Sequence, residues 1–242
     1  MIIGLLSDAH GNVEAFERTL QVLGQLGAAK VYFLGDAVGY LPGAGVASLI
    51  VDREIPAVLG NHEAMLLDAG PDAGPDSGRG GDREAVYRLA ETAAAMPERV
   101  RRAVAAWPER RELQLDCGRV LLVHGSPRDP LGGYVYPDTD LAGLAADPSL
   151  QGAFVFMGNT HRPFAKRVGG VTFVNVGSCG LPRDVGHLGS CCLLDDQTGQ
   201  ARIVRFDIRA ETAAALRRCG PVHARVLDAL GRQETGVVGE LV

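Results

Sequence analysis

Five apolar runs in this 242-residue chain end in short loops that carry the same few polar side chains, and this arrangement constrains the fold more than any other feature. Residues 2–6 lead into Asp8-Ala9-His10-Gly11-Asn12, residues 31–34 into Gly35-Asp36, and residues 57–59 into Gly60-Asn61-His62-Glu63. Residues 120–123 lead into His124-Gly125-Ser126, and residues 153–157 into Gly158-Asn159-Thr160-His161. Short continuous apolar runs read as buried strands. An open α/β sheet lines up its strand ends along one edge, so loops far apart in sequence can build one polar cluster. Four of the six histidines and three of the four asparagines lie in these loops.

Between the runs the period changes. Val13, Phe16, Leu20, Leu23 and Leu26 recur at helical spacing over residues 13–26, and Val46, Leu49 and Ile50 do so over 43–53. With residues 55–59 as a third strand, the order β-α-β-α-β predicts a parallel sheet with right-handed crossovers. Residues 69–82 are rich in Gly, Pro and Asp and predict a mobile surface loop, a candidate lid. Residues 84–96 and 98–107 predict two helices separated by Pro97, and Pro108 stops the second. Loop and helices together suggest a cap over residues 65–108. The second half predicts strand pairs: 112–116 with 119–123, 164–168 with 171–174, and 190–194 with 201–206. Residues 141–146, 210–218 and 222–230 predict helices, and the tail 232–242 is expected to fray. No repeat or linker interrupts the pattern, so the expectation is one domain over 1–242, with two sheets packed face to face and helices outside.

A hydrophobic fraction of 46% supports a sizeable core, and a net charge of −5 gives no support to non-specific nucleic-acid binding. No apolar run approaches the ~20 residues needed to span a bilayer, and Met1-Ile2-Ile3-Gly4 lacks the basic start of a signal peptide. The expected location is cytoplasmic. Five cysteines without zinc-finger spacing read as structural residues, with Cys191-Cys192 alternating inward and outward along a strand. Nothing in the sequence sets the oligomeric state.

Asp8 and His10 are two apart, and at an extended strand end they would point to the same side. Such a pair can bind one divalent cation. Asp36 has two oxygens and can bridge two cations, Asn61 offers an amide oxygen, and His124 and His161 offer imidazole nitrogens. A nitrogen and oxygen set without thiolates suits Mn²⁺, Fe, Zn²⁺ or Co²⁺ better than Ca²⁺ or a structural zinc. His62 follows Asn61 but points elsewhere, which suits a general acid or a donor to developing charge.

In these residues the chain resembles the calcineurin-like metallophosphoesterase superfamily. The loops match its motifs D-x-H, G-D, G-N-H-E, H-G and G-H-x-H in order, and the likeness runs from residue 1 to about 207. Within the superfamily the chain is similar to small bacterial phosphoesterases of the YfcE type, through residues 7–12, 35–40, 174–178 and Leu181-Pro182-Arg183-Asp184. The resemblance implies an α/β protein, a four-layer α/β/β/α sandwich with mixed sheets, holding two divalent transition-metal ions (Mn, Fe, Zn, Ni or Co) at the sheet edge. It implies that Asp8, His10 and His161 hold the first metal and Asn61 and His124 the second, with Asp36 bridging. It implies that His62 is catalytic and that Asn12 and Arg183 lie near the bound phosphate.

Asn159 departs from the pattern, standing where the superfamily usually has a second-metal histidine. Three outcomes stay open: Asn159 ligates a harder metal such as Mn²⁺, a water fills the gap, or the second site is weak. Gly39 and Tyr40 replace the Asp-Arg of the Ser/Thr protein phosphatases, which argues against that class. The expected activity is hydrolysis of a small phosphorylated substrate, a phosphodiester or phosphomonoester with diesters favoured, through a metal-bound hydroxide. The alternative is a non-catalytic protein-binding scaffold on the same fold with a weakened second metal site. Nuclease activity is disfavoured by the acidic balance.

Overall fold

The computed structural model describes residues 1–69 and 81–242, so the expected loop at 69–82 lies, apart from its ends, outside the described residues. The first strand, β1 (Ile2–Leu6), forms where its apolar run predicts. It is followed by α1 (Val13–Gln25), β2 (Lys30–Phe33) and α2 (Gly45–Asp52). Asn12 caps α1 by accepting from Ala15 N, and Ala15, Phe16, Thr19, Val22 and Leu23 form the buried face of that helix. Next come α3 (Asn61–Ala69), α4 (Gly81–Tyr87), α5 (Leu89–Ala95) and α6 (Glu98–Ala105). The second half contributes β3 (Arg110–Leu115), β4 (Gly118–Val123), α7 (Ala142–Ala145), β5 (Phe154–Met157), β6 (Phe164–Val168) and β7 (Val171–Asn175). It ends with β8 (Leu188–Asp195), β9 (Ala201–Asp207), α8 (Arg209–Cys219), α9 (Ala224–Leu230) and β10 (Glu240–Leu241).

Two five-stranded mixed sheets result, ordered β10-β9-β8-β1-β2 and β3-β4-β5-β7-β6. β1 and β2 are parallel, as are β4, β5 and β7; the hairpin partners are antiparallel. The sheets face each other across Ile3, Leu5, Tyr32, Val120, Leu122, Phe156, Val174, Cys192 and Leu194. The outer face of the first sheet packs Leu6, Phe33, Cys191 and Phe206 against Phe16, Leu23 and Val46 of the helices. The outer face of the second packs Leu121, Val155 and Phe173 against Leu141, Ala145 and Leu150. These are the four layers expected. Each fully buried Leu, Ile or Phe contributes roughly 1.5–3 kcal/mol, so both faces of both sheets hold the sandwich together. Cys191 and Cys192 do alternate, but both are buried, because the sheet is covered on both faces. No helix among the described residues is long and apolar enough to cross a membrane.

Four local expectations are corrected. Residues 55–59 form no ladder beyond a single parallel bridge between Phe33 and Ala57. Pro56 has no N–H to give, and Leu59 N turns away to Pro108 O. The helix expected over 84–96 is two helices, broken at Arg88, which adopts φ 52°. Asn61 begins a helix that the loop reading did not include. The tail does not fray: Glu240 and Leu241 pair with Val204 and Arg205, and Gln233 bridges to Val185. Its anchor is Arg205, fully buried, which binds both oxygens of Asp184 and the carbonyl oxygens of Leu188, Gly189 and Val238.

Candidate metal centre

The ends of β1, β2, β4 and β5 meet at one edge of the sandwich. Main-chain bonds lock their loops together: Asp8 N donates to Gly35 O, His10 N to Asp36 O, and Gly158 N to His124 O. Asp8, His10, Asp36, Asn159 and His161 all hold positive φ, between 48° and 65°. Asp8 and His10 therefore converge through a tight left-handed turn, not through the strand alternation expected of them. The close approach also needs small residues. A Cβ on Gly60 would lie 2.2 Å from Asp36 Oδ1, so the third loop and the Asp36 carboxylate can meet only through glycine.

The cluster is dry. Asp8, His10, Asp36, His62, His124 and His161 are each at most 3% exposed. Candidate ligand atoms of Asp8, His10 and His161 lie within 4.8 Å of one another; the same holds for Asp8, Asp36 and His124, and for His10, Asp36 and His62. Asn61 Oδ1 joins the second of these groups, 2.9 Å from His124 Nε2. The described chain thus brings together two poles that share Asp8, with Asp36 beside both.

Proton placement shows that this cluster suits a cation. His10 Nδ1 donates to Val38 O at 2.9 Å, His161 Nδ1 to Leu181 O at 2.5 Å, and His124 Nδ1 to Leu34 O at 2.8 Å. A carbonyl only accepts, so each ring carries a proton on Nδ1; the neutral His10 and His161 rings then turn their Nε2 lone pairs inward, while His124 Nε2 faces Asn61 Oδ1. His10 Nε2 and His161 Nε2 then face each other at 3.0 Å. Asp8 Oδ1, 3.3 Å from His161 Nε2, is buried without a hydrogen-bond partner. Facing lone pairs and an orphaned carboxylate oxygen are repulsive without a cation and form a ligand set with one.

The electrostatics agree. Burial holds the His10 and His161 imidazoles well below their ordinary value, so they remain neutral donors. Burial pushes the Asp8 carboxyl up to about 7, only partly opposed by His124. Burial also opposes ionisation of Asp36, but His124, His62 and His10 around it hold its carboxyl well below the usual range. Burial alone would depress His124; the adjacent Asp36 and Asp8 push it up to about 10, as though a proton stood where a metal would.

Four expected residues remain: His62, Asn159, Asn12 and Arg183. His62 Nε2 lies 3.9 Å from Asp36 Oδ2, within a ring cage of His10, Tyr40 and Tyr87 at centroid distances of 4.8, 5.1 and 4.6 Å. Its Nδ1 abuts the Gly39 main chain and has no hydrogen-bond partner, and burial lowers its pKa. Asn159 donates its backbone N–H to Asp8 Oδ2 and its Nδ2 to Gly133 O, leaving Oδ1 as its remaining acceptor. Asn12 is a correction. It is fully buried, and its amide is consumed by Ala15 N, Gly180 O and Thr212 Oγ1, so no donor is left for a phosphate. Arg183 instead reaches Tyr40 OH at 2.6 Å on the wall of an adjoining cavity.

Nothing in the Gly60-Asn61-His62-Glu63 sequence assigns Glu63 a task. The structure buries it completely and makes it a brace: its carboxylate accepts from Asp36 N, Val38 N and Gly60 N at 2.8, 3.1 and 3.0 Å. Tyr87 was missed altogether, and no local signal marks it. Arg162, the residue after His161, donates to both oxygens of Glu234. Cys179 is buried, and burial pushes its thiol up, away from reactivity.

The chain belongs to the calcineurin-like phosphoesterase superfamily, whose domain matches residues 1–199. An uncharacterized protein of Methanocaldococcus jannaschii, MJ0912, is 27% identical over 229 residues, covering 86% of this chain and 89% of that protein. The crystal structure of a metallophosphoesterase from Sphaerobacter thermophilus superposes with a TM-score of 0.76 at 24% identity, over 95% of this chain and 98% of that one. YfcE, a phosphoesterase from E. coli, is similar at 23% identity with a TM-score of 0.48, over 81% of this chain and 89% of its own.

Proposed function

We propose that this protein is a metal-dependent hydrolase of small phosphate esters, with diesters favoured over monoesters. One observation carries the reading: the inward-facing Nε2 atoms of His10 and His161 at 3.0 Å beside the orphaned Asp8 Oδ1. Asp8, His10 and His161 would hold one divalent cation, and Asp36, His124 and Asn61 a second, with Asn159 Oδ1 as a further oxygen donor. Bound there, such ions supply Lewis acidity, charge neutralisation and an activated water. The leaning to diesters comes from family kinship.

The chain's own residues set up the rest. Burial keeps His62 neutral when the site is free. A phosphate anion beside its ring would favour the protonated form, so the ring gains a proton when substrate binds and can pass it to the leaving oxygen. Tyr40 and Tyr87 hold the ring edge in place and exclude water from it. Arg183, steadied by Tyr40 OH, faces the adjoining cavity and would bond a phosphate oxygen there.

The test is hydrolysis of bis(p-nitrophenyl) phosphate and p-nitrophenyl phosphate with Mn²⁺, Ni²⁺ and Zn²⁺ added in turn, by wild type and His62→Ala. We expect metal-dependent turnover that falls by about 10²–10⁴ in the variant with metal content unchanged. No turnover with any metal overturns the hydrolase reading and leaves the binding scaffold. Loss of bound metal from His62→Ala makes His62 a ligand, as its place beside His10 and Asp36 would also allow.

A further inference from the structure

A cavity of about 560 Å³ adjoins the ligand cluster. Its inner wall is the ring shell of the site, Tyr40 and Tyr87, and its outer wall is α9 with the chain that follows. Four guanidiniums line it, those of Arg162, Arg183, Arg225 and Arg232, against one carboxylate, Asp228. Arg162 is neutralised by Glu234. Arg183 donates to the neutral Tyr40 hydroxyl, and Arg232 donates to the Arg183 carbonyl oxygen. Among the described residues none of Arg183, Arg225 and Arg232 forms an ion pair with a carboxylate. A chain of net charge −5 thus gathers unpaired positive charge in one place. Three of its five tyrosines, Tyr40, Tyr87 and Tyr136, line the same space.

A scissile phosphate held by cations at the ligand cluster and reached by Arg183 does not need Arg225 and Arg232 as well. Such planar donors fit a second anionic group on the same substrate, and the Tyr87 and Tyr136 rings on the cavity wall fit a flat ring between the two. We propose that the cavity is a leaving-group subsite for a nucleoside-like body carrying a second phosphate, with Arg225 and Arg232 recognising that phosphate. The scissile phosphate in this inference rests on the hydrolase reading.

Two nucleotides that differ by one phosphate test it: adenosine 3′,5′-bisphosphate and adenosine 3′-monophosphate. Each competes against hydrolysis of bis(p-nitrophenyl) phosphate by the wild type, Arg225→Gln/Arg232→Gln and Arg225→Lys/Arg232→Lys. Calorimetric binding of both nucleotides is measured in parallel in the presence of a chelator. The bisphosphate is expected to bind at least about tenfold more tightly than the monophosphate, as a charge-assisted pair would give. The advantage should vanish in the glutamine variant and return in part in the lysine variant. Equal binding by the wild type, or an advantage that survives in the glutamine variant, overturns the subsite. Absence of hydrolysis with every metal counts against the hydrolase reading alone, because the metal-free calorimetry still judges the subsite.

Discussion

Replacing Glu63 should damage the metal centre more than any exposed substitution, although this residue is not expected to touch metal or substrate. Its carboxylate collects three main-chain N–H groups from two different loops, those of Asp36 and Val38 after β2 and that of Gly60 before α3. Burial, and then Asp36, push its carboxyl up to about 7, and the N–H donors oppose that shift. Glu63→Ala leaves three buried donors without partners. At about 1–3 kcal/mol each, and with partial relaxation, the loss is roughly 3–6 kcal/mol, a large fraction of the ~5–15 kcal/mol that holds a typical domain. Glu63→Gln keeps the shape. Its oxygen can serve Asp36 N and Gly60 N, but its NH₂ then meets Val38 N–H, donor against donor, at a cost of about 1–3 kcal/mol. Guanidinium unfolding of chelated protein measures both, with constant m showing that the unfolded state is unchanged. Metal content by atomic emission should fall in the order wild type, Gln, Ala, because Asp36 moves with the loop. Glu63→Ala within about 1 kcal/mol of wild type, or Gln as damaging as Ala, would refute the brace.

Two further outcomes follow from other contacts. Stripping metal with a chelator and adding back Mn²⁺ at about a hundred times its Kd should raise stability by about 2.7 kcal/mol, a shift of several degrees in a melting curve; an unchanged Tm would mean the facing imidazoles hold no ion. Arg205→Met removes a buried guanidinium and strands Asp184, at about 3–5 kcal/mol, and limited proteolysis should then cut within residues 232–242 faster than in wild type; equal cutting rates would show that the tail is held by something else.

What could be read from the sequence was what depends on burial alone. β1 and β4 sit where the apolar runs put them, because strands covered on both faces show their burial as unbroken hydrophobicity. The same signal misled at residues 55–59, where Val58 is buried beneath the sheet edge without a ladder to join. The candidate ligands Asp8, His10, Asp36, His124 and His161 were legible because a metal site needs particular donor atoms, and these are named by residue type. Asn12 was misplaced because its side chain serves a helix cap, a choice made by Ala15, Gly180 and Thr212 and invisible in its own loop. Glu63 and Arg205 escaped for a related reason. Each acts on backbone groups distant in sequence, and main-chain N–H and carbonyl groups carry no residue label. Arg88, the left-handed break between α4 and α5, carries no glycine or proline to announce it.

The strained backbone decides how the site should respond to its metals. Left-handed φ at a non-glycine residue costs on the order of 1 kcal/mol, and five residues at the centre bear it. That conformation is imposed by bonds that involve no ion: Asp8 N to Gly35 O, His10 N to Asp36 O, and the Glu63 carboxylate across the two loops. The candidate ligands are therefore held in position by the chain itself, and a bound cation would remove the repulsion between lone pairs 3.0 Å apart. Metal binding to such a site orders little chain. Its stabilisation should follow simple mass action, rising with the logarithm of metal concentration at an unchanged m-value. A metal-dependent increase in m would mean that the loops are loose without the ion, and the backbone would then be following the metal instead of holding its place.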